Sequence, residues 1–342
     1  MSSSKTKRVI ITFLRTALGV ALAGLLLHFT LKSTGADLWN ELLESKKLLL
    51  VTALLSYGFV LGITVVRWRM LLAVQDIHLG FWTTARLTMI GVFFNIAIPG
   101  AVSGDLLKMA YVSRQAPAKK AEAVLTIMLD RVLGVFGLFI VAGTTILVSL
   151  PMLIGLGPEY RPIQATVFVV GMGSVVGIVG LLLVELRQRC VSHPQIARIV
   201  AFGAEKLPAV VVKTLQRLTS ALEIYRSKRL TVIKAVGLSI LVHACLGLSL
   251  YWIGTSVHED SLRARDYFLA MQVGNAVGAI PVAPGGLGTR DATIVEFFKA
   301  FKATPEKIGV IPLTYSLIIA FWSLTGGLVF IFSSKKRTVS GN

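Results

Sequence analysis
The chain has 342 residues, 54% of them apolar and only 15% charged, with a mean hydropathy of +0.75. Soluble globular chains carry about a quarter charged residues, so this composition excludes a soluble domain, a disordered chain and a collagen or coiled-coil fibre, and makes the bilayer the relevant solvent. The formal net charge of +18 would suggest nucleic acid in a soluble protein; here it must first be tested as cytoplasmic-loop bias.

In chain order, Lys5, Lys7 and Arg8 precede an apolar stretch from Thr16 to Leu31 with no convincing small-residue cleavage site after it. That pattern predicts an uncleaved anchor helix. Leu48 to Val66 is the second predicted span, and Arg67-Trp68-Arg69 at its end reads as an interfacial anchor, with the indole and guanidinium groups at headgroup depth. Leu87 to Ala101 is apolar but ends in Pro99-Gly100, too short and broken to cross a hydrocarbon core that needs about 20 helical residues. Ala123 to Leu150 and Thr166 to Val184 are full-length spans.

A basic segment follows, with ten Lys or Arg against two acids from Arg187 to Lys234. Its apolar positions (Ile196, Ile199, Val200 and Phe202, then Leu215, Leu218 and Leu222) recur at helical spacing, which predicts a basic amphipathic hairpin over 187–231 lying on an anionic leaflet. Nucleic acid is not an expected partner, because neither a fold signature nor an aromatic platform accompanies the charge. Val232 to Val257 and Ile308 to Ser333 are the last two spans, separated by a second short segment, Tyr267 to Ala283, that runs into Pro284-Gly285-Gly286. The fold expected is therefore all-α and polytopic, one integral membrane domain over 1–342, with six spanning helices and two re-entrant or broken helical hairpins.

The positive-inside rule places the N-terminus, Arg67, Arg69, Arg86, the 187–231 hairpin and the Lys335-Lys336-Arg337 tail on the cytoplasmic side of the cell (inner) membrane. Keeping Lys108, Arg114, Lys119 and Lys120 on that side requires Leu87 to Arg114 to dip in and return. The 258–266 loop then lies outside, and the second short segment dips in from the opposite face. The two segments also echo each other: Asn95 to Pro99-Gly100, Ser103-Gly104 and Asp105 in one, Asn275 and then Pro284-Gly285-Gly286-Leu287-Gly288-Thr289-Arg290-Asp291 in the other. Paired, broken apolar segments in two halves are the sequence pointer to an inverted repeat with a binding site near the midplane; tight turns at the membrane surface are the alternative.

Asp130 and Arg131 sit inside a long apolar run, where an ionised group costs several kcal/mol unless it is paired or faces a cavity. Adjacent helical residues do not face one another, so each needs a partner on another element, with Asp105 and Lys108 as candidates. Lys108 follows Asp105 by three positions near a possible helix start, which suits either a headgroup phosphate or a simple cap. Gly100, Gly104, Gly285, Gly286 and Gly288 permit close backbone approach, and Arg290 beside Asp291 supplies either a phosphate-binding fork next to a carboxylate or a structural salt bridge. Asn95 and Asn275 suit hydrogen bonds across to the broken backbone. His28 and His243 read as packing residues rather than proton relays. Cys190 and Cys245 show no metal-ligand spacing, and no cofactor motif or Walker-type phosphate loop is legible.

At Arg67 to Leu72, Asn95 to Asp105, Asp130-Arg131 to Gly134 and Pro281 to Asp291, the chain resembles the transmembrane domain of the lysylphosphatidylglycerol synthases, the flippase-like membrane family. Asp291 stands where that family more often has Glu. The resemblance implies movement of a lipid between leaflets, with no catalytic residues assigned. Only about nine polar residues follow the last predicted span, so the synthase reaction is not expected to carry over. The function expected is a lipid translocator acting on an anionic phospholipid or polyprenyl-phosphate lipid. Asn95, Gly100, Gly104, Asp105, Lys108, Asp130, Arg131, Asn275, Pro284, Gly285, Gly286, Gly288, Arg290 and Asp291 are its candidate substrate-binding residues. An accessory protein for a lipid-modifying enzyme, or an intramembrane headgroup transferase or phosphatase, are the alternatives.

Overall fold
A computed structural model describes residues 38–97, 103–190, 225, 227–280 and 284–335, the side chains of 180–190, 284 and 334–335 excepted. Every regular element among the described residues is helical: α1 (Leu38–Glu44), α2 (Lys47–Val74), α3 (Phe81–Ala97), α4 (Ser103–Gln115), α5 (Lys120–Ile154), α6 (Arg161–Cys190), α7 (Arg229–Ser256), α8 (Ala264–Gly278), α9 (Thr289–Ala300) and α10 (Lys307–Lys335). Helix is the form that satisfies each backbone N–H and C=O within its own segment, which lipid demands. Five of these helices, α2, α5, α6, α7 and α10, are long and apolar enough to cross a membrane. They take in five of the six expected spans. The sixth, Thr16 to Leu31, lies outside the described residues, as do Gly100, His28 and most of the 187–231 segment.

Four further helices are too short to span. At 1.5 Å per residue, α3, α4, α8 and α9 measure about 25, 20, 23 and 18 Å, each less than a hydrocarbon core of about 30 Å. They fold as two antiparallel hairpins. In the first, Gly91 packs on Gly104, where a Cβ would overlap the Gly91 carbonyl, and Arg86 Nη2 donates to Tyr111 Oη at 3.0 Å. In the second, the Tyr267 ring meets Phe298 edge-on at 5.4 Å.

Chain direction fixes which way each hairpin points. α2 and α7 run antiparallel: Lys46 N–H donates to Ser256 O (2.8 Å), Ser249 Oγ to Ala53 O (3.2 Å), and Tyr225 Oη, just before α7, to Leu71 O (2.9 Å). At one end of the bundle Lys119 Nζ donates to Gln75 O at 3.0 Å, tying the α4–α5 turn to the end of α2. At the other, the Glu259 carboxylate accepts the N–H groups of Ser261 and Thr304, both at 2.9 Å, joining the loops before α8 and after α9. The α3–α4 hairpin therefore opens at the Gln75 end and the α8–α9 hairpin at the Glu259 end. Their tips meet: Gly285, with φ at 59°, sits so close to α3 that a Cβ there would lie 3.1 Å from Ile96 Cγ1.

The hairpins differ in depth. Leu269, Met271, Val273, Ile294, Phe297 and Phe298 of α8 and α9 belong to the main core, with Leu250 and Ile253 of α7 and Val310 and Ile311 of α10. The first hairpin contributes Leu87 and Val112 to a smaller cluster around Trp68. Its outer side leans on α10, with Phe94 edge-on to Phe330 at 5.2 Å. Since lipid is as apolar as these side chains, close van der Waals fit rather than water exclusion is what this packing gains.

Candidate functional site
Asp130 and Arg131 of α5 point to different neighbours, as their adjacency requires. Arg67 Nε of α2 donates to Asp130 Oδ1 at 2.7 Å, and Arg67 Nη1 donates to Ser239 Oγ of α7 at 2.8 Å. Arg131 pairs through Nε with Asp105 Oδ2 of α4. Lys108, one turn further along α4, has its Nζ 3.7 Å from Asp105 Oδ1 and 5.1 Å from the centroid of the Trp68 ring.

This geometry corrects the interfacial anchor. Arg67 and Trp68 are buried, 6% and 1% exposed, because position 67 continues the inward stripe Val60, Ile63, Arg67, Leu71 of α2. A buried guanidinium needs a carboxylate, and Asp130 supplies it. Only Arg69 of the three faces outward; its Nε donates to Leu79 O at 3.2 Å and its guanidinium lies 5.9 Å from the Phe81 ring. The stripe was legible in the sequence, whereas the partner on α5 was not.

These charges border a cavity of about 320 Å³ between α2, α3, α4, α5, α7 and α8. Six residues predicted from sequence lie around it: Asn95, Asp105, Lys108, Asp130, Arg131 and Asn275. Tyr57, Thr88 and His243 also line it, with His243 Nε2 3.2 Å from the Gly134 carbonyl oxygen; nothing in the local sequence marked Tyr57 or Thr88. Asn95 and Ser103 stitch the first tip. Asn95 Oδ1 accepts the Gly104 N–H at 2.9 Å, and Ser103 Oγ donates to Phe94 O at 3.1 Å. A larger hollow of about 580 Å³ between α5 and α6 is mostly apolar and carries no charged group, so the charged side chains converge on the smaller one.

Arg290 and Asp291 stand apart from the cavity lining. Arg290 Nε and Nη2 both donate to Asp291 Oδ1, at 2.9 and 2.7 Å, and Nη2 also reaches Ser316 Oγ at 2.5 Å. Asp291 Oδ2 accepts the Gly288 N–H at 3.3 Å, capping α9, and the guanidinium lies 4.8 Å from the Tyr315 ring centroid. With both residues under 5% exposed, the pair is closed on itself, the structural salt bridge that was the alternative to a phosphate-binding fork. It sets the second tip against α10. Gly285, Gly286 and Gly288 shape that tip and do not line the cavity. Tyr315 in turn meets Tyr57 of the cavity wall edge-on at 6.2 Å.

Residues 16–327 match the family model described as the lysylphosphatidylglycerol synthase TM region. A comparison with curated proteins finds no match.

Proposed function
The chain belongs to that family, an integral membrane family tied to lipid metabolism or transport, and from this premise we propose that it moves a phosphate-bearing lipid headgroup between leaflets. The observation that carries the reading is the charged cavity where the two oppositely directed hairpins meet. Non-helical backbone at membrane depth must be buried in protein or face a wet cavity, and the described flanks of the two breaks, Ile96 and Gly285, pack against each other. Lys108 and Arg131 are the groups available to a phosphate, since Arg67 is committed to Asp130 and Ser239.

The substrate's tails stay in the bilayer. The Arg131 side chain is 47% exposed, on a rim where Leu106, Met128 and Val132 also face outward, so a headgroup enters beside Arg131 while its chains lie along α4 and α5. Arriving phosphate competes with Asp105 for Arg131, and exposure of the cavity first to one leaflet and then to the other completes the transfer. The Gln75 end, bearing Arg69, Arg86, Arg114, Lys119 and Lys120, is cytoplasmic by the positive-inside rule. With the Thr16 to Leu31 span expected from the sequence, the same rule gives the proposed orientation, both termini cytoplasmic and the protein in the inner membrane. Anionic phospholipids or polyprenyl phosphates are the proposed partners. The proposed movement runs downhill, on an ion gradient or with the help of a partner.

The test is a leaflet-accessibility assay on purified protein in liposomes carrying labelled phospholipid or polyprenyl phosphate. Wild type should move lipid well above protein-free vesicles, and Arg131→Ala and Asp130→Asn should fall towards that background. Equal movement by all three proteins overturns the reading. Recovery of chemically altered lipid would replace it with the transferase or phosphatase alternative.

A further inference from the structure
The turn from α2 into α3 holds a further recess, apart from the charged cavity. It encloses about 260 Å³ between Arg69, Ala73, Ile77, His78, Leu79 and Gly80. The turn is pinned from inside: Ile77 N–H donates to Leu72 O at 3.0 Å, Asp76 takes a left-handed φ of 52°, and Ile77 is 4% exposed in the cluster around Trp68. His78 and Gly80 are thereby turned outward. Asp76, the acid of this turn, lies 3.4 Å from Lys119 Nζ, and no carboxylate lines the recess. Arg69 Nε is held by Leu79 O with the guanidinium beside the Phe81 ring, so Nη1 and Nη2 are the edge of the fork left for a ligand. A guanidinium fixed in this way suits a phosphate, which accepts two parallel N–H groups.

Depth indicates where that phosphate comes from. At 1.5 Å per residue, α2 is about 42 Å long, the thickness of a bilayer with its headgroup regions, and Arg69 lies about 33 Å along it from Lys47, just past a hydrocarbon core of about 30 Å. Next to it Trp82 is 82% exposed and Phe81 38%, their rings edge-on at 5.3 Å. Exposed aromatics beside a cation at this level belong to the membrane interface, and Arg86, Arg114, Lys119 and Lys120 outweigh Asp76 and Glu122 at this end of the bundle. We propose that the α2–α3 turn binds the headgroup phosphate of an anionic lipid resident in the leaflet on the Gln75 side. Arg69 and His78 flank the phosphate, and Trp82 lies at the boundary with the acyl chains. At about 260 Å³ the recess is below the roughly 300–1,000 Å³ of sites that enclose a whole small molecule, so it takes the phosphate and leaves the rest of the lipid outside. The site therefore selects for charge and not for headgroup identity. It is independent of the translocation reading: the anchor that Arg67 and Trp68 do not form is formed by the next outward-facing residues.

The experiment places a bimane fluorophore on Thr83→Cys, in the full-length protein without Cys190 and Cys245. The labelled protein is reconstituted in phosphatidylcholine vesicles that contain brominated phosphatidylglycerol, brominated phosphatidylserine or brominated phosphatidylcholine as a contact quencher. Both anionic lipids should reach half-quenching at about a fivefold lower share than brominated phosphatidylcholine, the factor that one basic residue contributes at an anionic surface. Arg69→Gln should bring the three lipids together while leaving the thermal unfolding midpoint in place. His78→Glu, which adds a carboxylate to the recess from an exposed position, should do the same. Arg131→Ala, in the separate cavity, should keep the preference, and so should wild type in an excess of inorganic phosphate. Equal quenching by all three lipids, a response to phosphatidylglycerol alone, or a preference that survives Arg69→Gln overturns the proposal. Loss of the preference in Arg131→Ala overturns it by moving the signal to the cavity, and loss in inorganic phosphate overturns it by making the recess a site for soluble anions.

Discussion
The two helical hairpins have similar sequences and opposite fates. Each carries an Asn, a proline, glycines and an acid next to or near a base. In the first, Asp105 and Lys108 border the cavity and Asp105 reaches across to Arg131 of a spanning helix, whose side chain is half exposed. In the second, Arg290 and Asp291 direct their hydrogen bonds to each other, to Ser316 and to the α9 cap. The difference follows from burial. α8 and α9 lie in the main core, where a charge persists only when fully paired, whereas the first hairpin sits at the edge of the bundle and leaves an ion pair open on one side. Two motifs that resemble each other therefore need not be placed alike, and here the second is closed on itself while the first borders the cavity.

The largest expected effect breaks the closed pair. Asp291→Ala leaves the Arg290 guanidinium buried and unpaired and should lower stability by about 3–5 kcal/mol, read as the thermal unfolding midpoint in detergent. A loss no larger than that of Asp105→Ala would erase the contrast between the hairpins. Next is Gly104→Leu, which forces α4 away from the Gly91 carbonyl; overpacking of this kind costs about 1–3 kcal/mol, and the same variant should slow lipid movement because it displaces Asp105 and Lys108. Arg131→Gln should change stability by at most about 1 kcal/mol, as expected for a half-exposed ion pair, yet reduce lipid movement at least tenfold. A stability loss as great as that of Asp291→Ala would make Arg131 a structural residue instead. The mildest perturbation sharpens the geometry: single cysteines at Ser113 and Ser261, in a background without Cys190 and Cys245, should react with impermeant reagents from opposite sides of the membrane. Labelling from one side would remove the opposed arrangement of the hairpins.

Much of this was legible from residue order. Spans α2, α5, α6, α7 and α10 were marked by apolar length alone, because lipid admits only helices long enough to cross it. The two breaks were marked by Pro99-Gly100 and Pro284-Gly285-Gly286, and the need of Asp130 and Arg131 for partners on other elements followed from the cost of charge in an apolar run and from helix geometry. The pairing itself was not legible. Arg67 finds Asp130 across 63 residues, and next to a tryptophan at the end of a span it looks like an anchor until a neighbouring helix turns it inward.

What the sequence determined by itself is the solvent, the helical class and the positions where helices break, since these depend on local composition and on backbone hydrogen bonding. Only the tertiary structure decided which charges meet, that Thr88 and His243 share a cavity with Asn275, and that Arg290 and Asp291 are sealed away. Those outcomes depend on distances between segments far apart in the chain, and a side chain's role in a low-dielectric interior is set by the neighbour that offsets its desolvation rather than by its own type.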